Sequence, residues 1–256
     1  MPRIRFASAL FCLLLAPASP SGAQNAMRAP QQRPADAASY KPVAISLPQP
    51  VNDPGLESFR KQLADVAQRK DRAALAKLVA RDGFFWTGEK GERADRRKSG
   101  VDNLAAALGL NNKEGAGWDM LASFAEDPTA SPSREHKAAL CAPADPTFDG
   151  KAFNDLLAAS KTEVEDWGYP ISSGIEVRSG PQANAPAIEK LGLFFVRVMP
   201  DADPNAPAFL RIITPAGKTG FVAADSIAPI GSDQICYVKD AGGWKIGGYV
   251  GPGDSQ

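Results

Sequence analysis

The stretch Ile175–Gly192, IEVRSGPQANAPAIEKLG, decides how the chain is read. It opens with Ile175 and Val177 two residues apart, breaks into a run rich in Gly, Pro, Ala and Asn, and turns apolar again at Ile188 and Leu191. Alternation marks a strand with one buried face, and Gly, Pro and Asn supply the backbone angles of a tight connection. Downstream the period of two continues through Phe194, Val196 and Val198, then Phe209, Arg211 and Ile213 with Leu210 and Ile212 opposite. Phe221 and Val222 follow the turn Pro215-Ala216-Gly217-Lys218. Short strands between such turns predict a small β-barrel. A final pair, Gln234–Lys239 and Trp244–Val250, flanks Asp240-Ala241-Gly242-Gly243, a loop suited to a hairpin.

Upstream of Trp167 the apolar period lengthens to that of a helix. Asp53-Pro54 offers a capping acceptor followed by Pro at the first helical position. Phe59, Leu63 and Val66 then recur at helical spacing to about Lys70. Asp71 can cap a second helix carrying Leu75, Leu78 and Val79, ending at Asp82-Gly83. Val101, Leu104 and Leu108, then Trp118, Leu121 and Phe124, then Phe153, Leu156 and Leu157 mark three more helical faces. An α+β chain is expected, mainly helical over residues 53–165, a barrel over 166–231, and a closing β-hairpin with a tail over 232–256.

The first residues read differently. Arg3 and Arg5 precede an apolar run from Phe6 to Leu15, and small residues end at Ser21-Gly22-Ala23. This is the pattern of a signal peptide over residues 1–23. The run falls short of the roughly 20 apolar residues that a spanning helix needs, and no later stretch reaches that length, so a periplasmic or secreted chain without a membrane span is expected. Residues 24–52 hold Pro30, Pro34, Pro42, Pro48 and Pro50 among Ala, Gln and Ser with little apolar periodicity, and read as a disordered tether.

The sequence balances 29 Lys and Arg against 29 Asp and Glu, and losing Arg3 and Arg5 with the signal leaves it slightly acidic. A nucleic-acid binder gathers a basic excess, so nucleic acid is excluded as a partner, and near-neutrality predicts little charge-driven binding. The run Glu89–Lys98 mixes both signs, as a solvated loop does. Of three cysteines, Cys12 lies in the signal. Cys141 and Cys236 remain, and in an oxidising compartment they are expected to form one disulfide in a monomer, pinning the hairpin where the helical part meets the barrel.

Val177-Arg178-Ser179-Gly180-Pro181, then Ile188 and Leu191-Gly192, then Gly217-Lys218-Thr219-Gly220-Phe221-Val222 resemble the bacterial SH3 pattern: a V-R-x-x-P opening, an apolar-x-x-L-G segment and a closing G-x-x-G-aromatic-V. Phe221 stands where the family usually has Trp, and Phe209 stands where the preceding strand usually has Trp. The resemblance extends over roughly Leu56 to Asp254. It takes in the short helix Gly117-Trp118-Asp119-Met120-Leu121, the junction Cys141-Ala142-Pro143 and the closing Y-x-K-x-x-G-G-W-K-I from Tyr237 to Ile246. As a whole the chain resembles exported bacterial SH3-domain proteins of unassigned activity. The resemblance implies an SH3-like barrel and an envelope location, and it attaches no reaction.

Candidate chemistry is sparse. The one histidine, His136, sits in a polar, helix-like stretch before Cys141 and reads as solvated. It has no second ligand at zinc spacing, and a cysteine–histidine amidase would need Cys141 reduced and brought to His136 in a fitting geometry. Asp201-Ala202-Asp203-Pro204-Asn205 starts like a calcium loop, but Ala206 and Ile212 stand where the turning Gly and the bidentate Glu belong, so it reads as a hairpin loop. No catalytic residue, metal or cofactor is expected.

Trp167, Tyr169, Phe195, Tyr237, Trp244 and Tyr249 fall in or beside the barrel, where aromatics usually pack a core. SH3-like folds also present aromatic grooves, and Phe195, Tyr169, Phe221 and Trp244 are the expected groove. Alternation sets Phe195 opposite Phe194 and Val196, facing a ligand, the helical part or the final hairpin. The expected function is a non-enzymatic envelope binding or adaptor protein, with peptidoglycan or an envelope protein as partner. A structural exported protein and a carboxylate-dependent wall hydrolase are the alternatives.

Overall fold

The computed structural model describes residues 37–88, 91–200 and 208–251, and its helices begin where capping side chains stand. Asp53 accepts the Leu56 N–H at 2.9 Å ahead of α1 (Pro54–Gln68). Asp71 accepts the Ala74 N–H ahead of α2 (Arg72–Leu78). Ser99 caps α3 (Gly100–Leu108), and Asp149 caps α5 (Gly150–Ser160). Among the described α-helices only α4 (Ala116–Glu126) starts without a side-chain cap, from Gly115 in the left-handed region at φ 78°. These satisfy the first N–H groups that a helix leaves unpaired.

The strands, in chain order, are β1 (Ile45–Ser46), β2 (Phe85–Gly88), β3 (Gly91–Glu92), β4 (Ser131–Pro132), β5 (Ala139–Ala142), β6 (Thr147–Phe148), β7 (Trp167–Pro170), β8 (Glu176–Arg178), β9 (Ala187–Lys190), β10 (Val196–Met199), β11 (Phe209–Ile213), β12 (Thr219–Ala223), β13 (Ile227–Pro229), β14 (Gln234–Asp240) and β15 (Gly243–Val250). Two expected helical stretches end early. α2 stops at Leu78 because Val79 bridges Ile246 and the Ala80 N–H donates to the Ile246 carbonyl at 2.8 Å. Ser133 to His136 are bends and coil rather than helix, and His136 is half-buried, stacked on Phe85 with ring centroids 3.5 Å apart, rather than solvated.

Six strands form one sheet in the order β3-β2-β15-β14-β5-β4. The hairpin β14–β15 is its centre: β14 pairs antiparallel with β5, and β15 pairs parallel with β2. Ile235, Tyr237, Ile246 and Tyr249 turn one face of the sheet to Leu56, Phe59, Leu63, Leu104, Trp118 and Leu121 of the helices. The other face carries Phe85, Ala139, Cys141, Cys236 and Val238. The hairpin expected to close the barrel therefore completes the core of the first helices. The residues 53–165 do not form a helical domain by themselves, since β2 to β6 lie among them and their sheet is built around strands from far along the chain.

Cys141 and Cys236 are bonded, as expected, across a sequence separation of 95 residues. They face each other in register on β5 and β14, so the bridge lies within one sheet and does not tie two parts of the molecule together.

Seven further strands form a sheet in the order β13-β7-β10-β11-β12-β8-β9. β7 and β8 are four places apart in it, yet only residues 171–175 join them. Four strand spacings of about 4.8 Å make about 19 Å, which so short a link would reach only if fully extended, and the link turns at Gly174 (φ 82°). The sheet is therefore strongly curled. Its ladder stays open between β13 and β9 among the described residues, and does not close into the expected barrel. Inside the curl, Val177, Leu191, Val196, Ile212, Val222 and Ile227 pack together.

The outer face of β7 and β10 is covered by α5, which packs here and not with the first four helices: Phe153 and Leu156 meet Trp167, Tyr169 and Phe195. Residues 37–47, expected as tether, are a packed strap. The Ala37 N–H donates to the Gly217 carbonyl at 2.7 Å, the Tyr40 N–H to the Pro215 carbonyl at 3.0 Å, and the Ile45 N–H to the Leu193 carbonyl at 3.0 Å. β1 pairs with β6, and Val43 and Ile45 are buried. The expected signal peptide, residues 24–36 of the tether, the loop 201–207 and the tail beyond Gly251 lie outside the described residues. No described helix is long and apolar enough to cross a membrane.

A candidate site under the strap

The four residues expected to form an aromatic groove do not meet. Phe195 has 0 % of its surface exposed and packs against Phe153 at 4.5 Å and Phe148 at 4.8 Å between ring centroids. Tyr169 is buried beside it, and burial pushes its phenol up to about 12. Both are core, because the strand alternation that turns Phe195 away from Val196 turns it toward α5. Trp244 lies on the other sheet, against the start of α1, with the Lys239 ammonium 5.3 Å from its ring. Phe221 is half-exposed, as Trp244 is, and lies on the outer face of the curled sheet.

The register shows what surrounds Phe221. Arg211 and Arg178 are its direct partners on the flanking strands, so all three side chains share the outer face. Arg197 on β10 pairs with Ile213 and Trp167 and lies diagonally from Arg211. Arg178 is engaged by Glu176 at 2.7 Å and by the Ala185 carbonyl. Arg197 and Arg211 form no ion pair among the described residues, and the Nε of each is buried without a hydrogen-bond partner there. A chain whose total charge is near zero thus concentrates positive charge on one face, which net charge could not reveal.

Arg197 also lines a cavity of about 590 Å3 between the strap, α5 and the sheet. Val43, Leu156, Trp167 and Ile213 give it apolar walls. The Tyr40 ring meets Trp167 edge-on at 5.0 Å, and its hydroxyl reaches the carbonyls of Ile213 at 3.0 Å and Phe195 at 3.2 Å. Burial pushes that phenol well above its ordinary pKa, so it stays a neutral donor. The indole N–H of Trp167 is satisfied by the Thr162 hydroxyl at 2.8 Å. Asp155 at the rim is paired with Lys151 at 2.8 Å. Lys41 and Arg197 are the remaining charged groups of the lining. The arrangement is a concave apolar site with a few polar groups, the usual form of a small-ligand pocket.

The wider groove over the disulfide face, about 710 Å3, is lined by His136, Arg134, Glu135, Asp145 and Gln234 and brings charges of both signs together. Among the described residues no group of three or more His, Cys, Asp or Glu is placed to hold a metal ion. Sequence reasoning missed Arg197, Tyr40 and the strap. The signal for Arg197 was its outward position in an alternating strand, which by itself reads as solvated. Compared with protein-family models, curated proteins and solved structures, the chain matches none.

Proposed function

We propose that the chain is a non-enzymatic binding or adaptor protein of the cell envelope, periplasmic or secreted, acting through an SH3-like sheet. The observation that carries the reading is the apolar cavity with Arg197 at its wall. The SH3-like reading draws support from the packing of the residues that carry the resemblance: Val177, Leu191 and Val222 share one core. A Cβ on Gly220 would lie 2.4 Å from Val177, so this position has no room for a side chain. The envelope reading draws support from the disulfide, which oxidising compartments maintain.

The test is co-sedimentation of the purified protein with peptidoglycan sacculi and with envelope extracts at low and moderate salt. Retention is expected, weaker at moderate salt because the Arg197–Arg211 face is screened there, and reduced by Ala159→Trp, which narrows the cavity mouth. No retention by either material would remove the adaptor reading and leave a structural exported protein.

A further inference from the structure

The lining of the cavity restricts what it can hold. A purely apolar occupant would set hydrocarbon against the Arg197 guanidinium, which forms no ion pair among the described residues. A cation would meet Lys41 and Arg197 with no free carboxylate to answer it, since Asp155 is engaged by Lys151. A bare inorganic anion would exchange its hydration for walls made of Val43, Leu156, Trp167 and Ile213. What fits is a molecule with an anionic end and an apolar body. A planar guanidinium matches a carboxylate in two parallel hydrogen bonds, and about 590 Å3 suits a ligand of a few residues rather than the breadth of a polymer.

We propose that the cavity under the strap takes the free C-terminal carboxylate of a short peptide with an apolar last residue, the carboxylate on Arg197 and the last side chain against Trp167, Leu156 and Val43. This assignment rests on the binding reading above and names the chemistry of its ligand. Lys41, exposed at the rim, adds attraction at longer range. The strap supplies Tyr40 and Val43 to the wall, so the site exists only where residues 37–43 are docked.

The probes are N-acetylated tripeptides ending in Ala, Leu or Phe, each as free acid and as C-terminal amide, titrated calorimetrically into the purified protein. At least one acid is expected to bind tenfold or more tightly than its amide. Arg197→Gln should bring acid and amide to the same affinity with the urea midpoint unchanged, while Arg197→Lys should keep part of the preference. Should Arg197→Gln not fold, Ala159→Trp, which leaves the guanidinium in place, should weaken acid binding instead. Equal binding of acids and amides, no binding by any acid, or a preference that survives both variants would overturn the assignment. Failure here is separable from failure of the envelope reading. Sacculi that retain the protein without competition from the acids sink the carboxylate assignment alone, and acid binding without retention sinks only the envelope reading.

Discussion

Phe195 shows how far a single residue can be read. Its place in an alternating strand fixes that it faces away from Val196, and the structure puts Phe148 and Phe153 on that side. Nothing local says which element arrives there, because the helix that covers it is positioned by the chain path and not by β10. Arg197, two residues on, was illegible for the same reason: an outward Arg looks solvated until α5 and the strap enclose it. As a core ring, Phe195 replaced by Ala should cost about 3–5 kcal/mol of stability, read as a large drop in the urea midpoint. A variant with an unchanged midpoint and lost binding would return Phe195 to a ligand face.

At the scale of elements, periodicity and caps were legible. Asp53, Asp71 and Asp149 stand where α1, α2 and α5 begin. Composition misled over the strap, since the stretch 24–52 around it holds five prolines and few apolar residues and has no face of its own. Its order comes from the Leu193, Pro215 and Gly217 carbonyls that it meets and from β6. The cap of α1 makes a prediction about acid. The Leu56 N–H, and more weakly the Lys239 ammonium, hold the Asp53 carboxyl below its ordinary pKa. A depressed folded pKa gives stability that is full above the unfolded value, about 3.9, and is lost as pH falls through the folded one. Urea midpoints should therefore decline below about pH 4. Asp53→Asn, which keeps an acceptor at the cap and has no proton to gain, should show a shallower decline. An acid limb identical in both proteins would remove Asp53 from the account.

The described residues interleave two large sheets. The first needs residues 85–142 and 234–250 together, and the second takes its strands from 167–229 alone. Strand existence was legible but partnership was not: the parallel pairing of β2 with β15 joins segments separated by the entire second sheet, and no local pattern encodes that choice. Truncation after Ile230 removes the two central strands of the six-stranded sheet. It should leave α1–α4 without a partner for their apolar face, seen as dye binding and loss of one part of the unfolding transition. An unchanged midpoint and cooperativity would show the hairpin to be peripheral. Replacing Cys141 and Cys236 by Ala opens a loop of 95 residues, and the chain-entropy argument puts the loss at up to about 4–5 kcal/mol. A double variant as stable as the parent would mean that the sheet alone restrains that loop.

That interleaving also sets an order of events during synthesis. A ribosome delivers α1–α4 and β2 on the order of 100 residues before β14 and β15, a wait of roughly 5–20 s at ordinary elongation speed. Through that interval Leu56, Leu63, Leu104 and Leu121 lack the two central strands that cover them, and by its end all seven strands of the second sheet are in hand. The half that is made first is thus completed last. A nascent chain of this design presents apolar helix faces to whatever holdase accompanies it until its final hairpin is released.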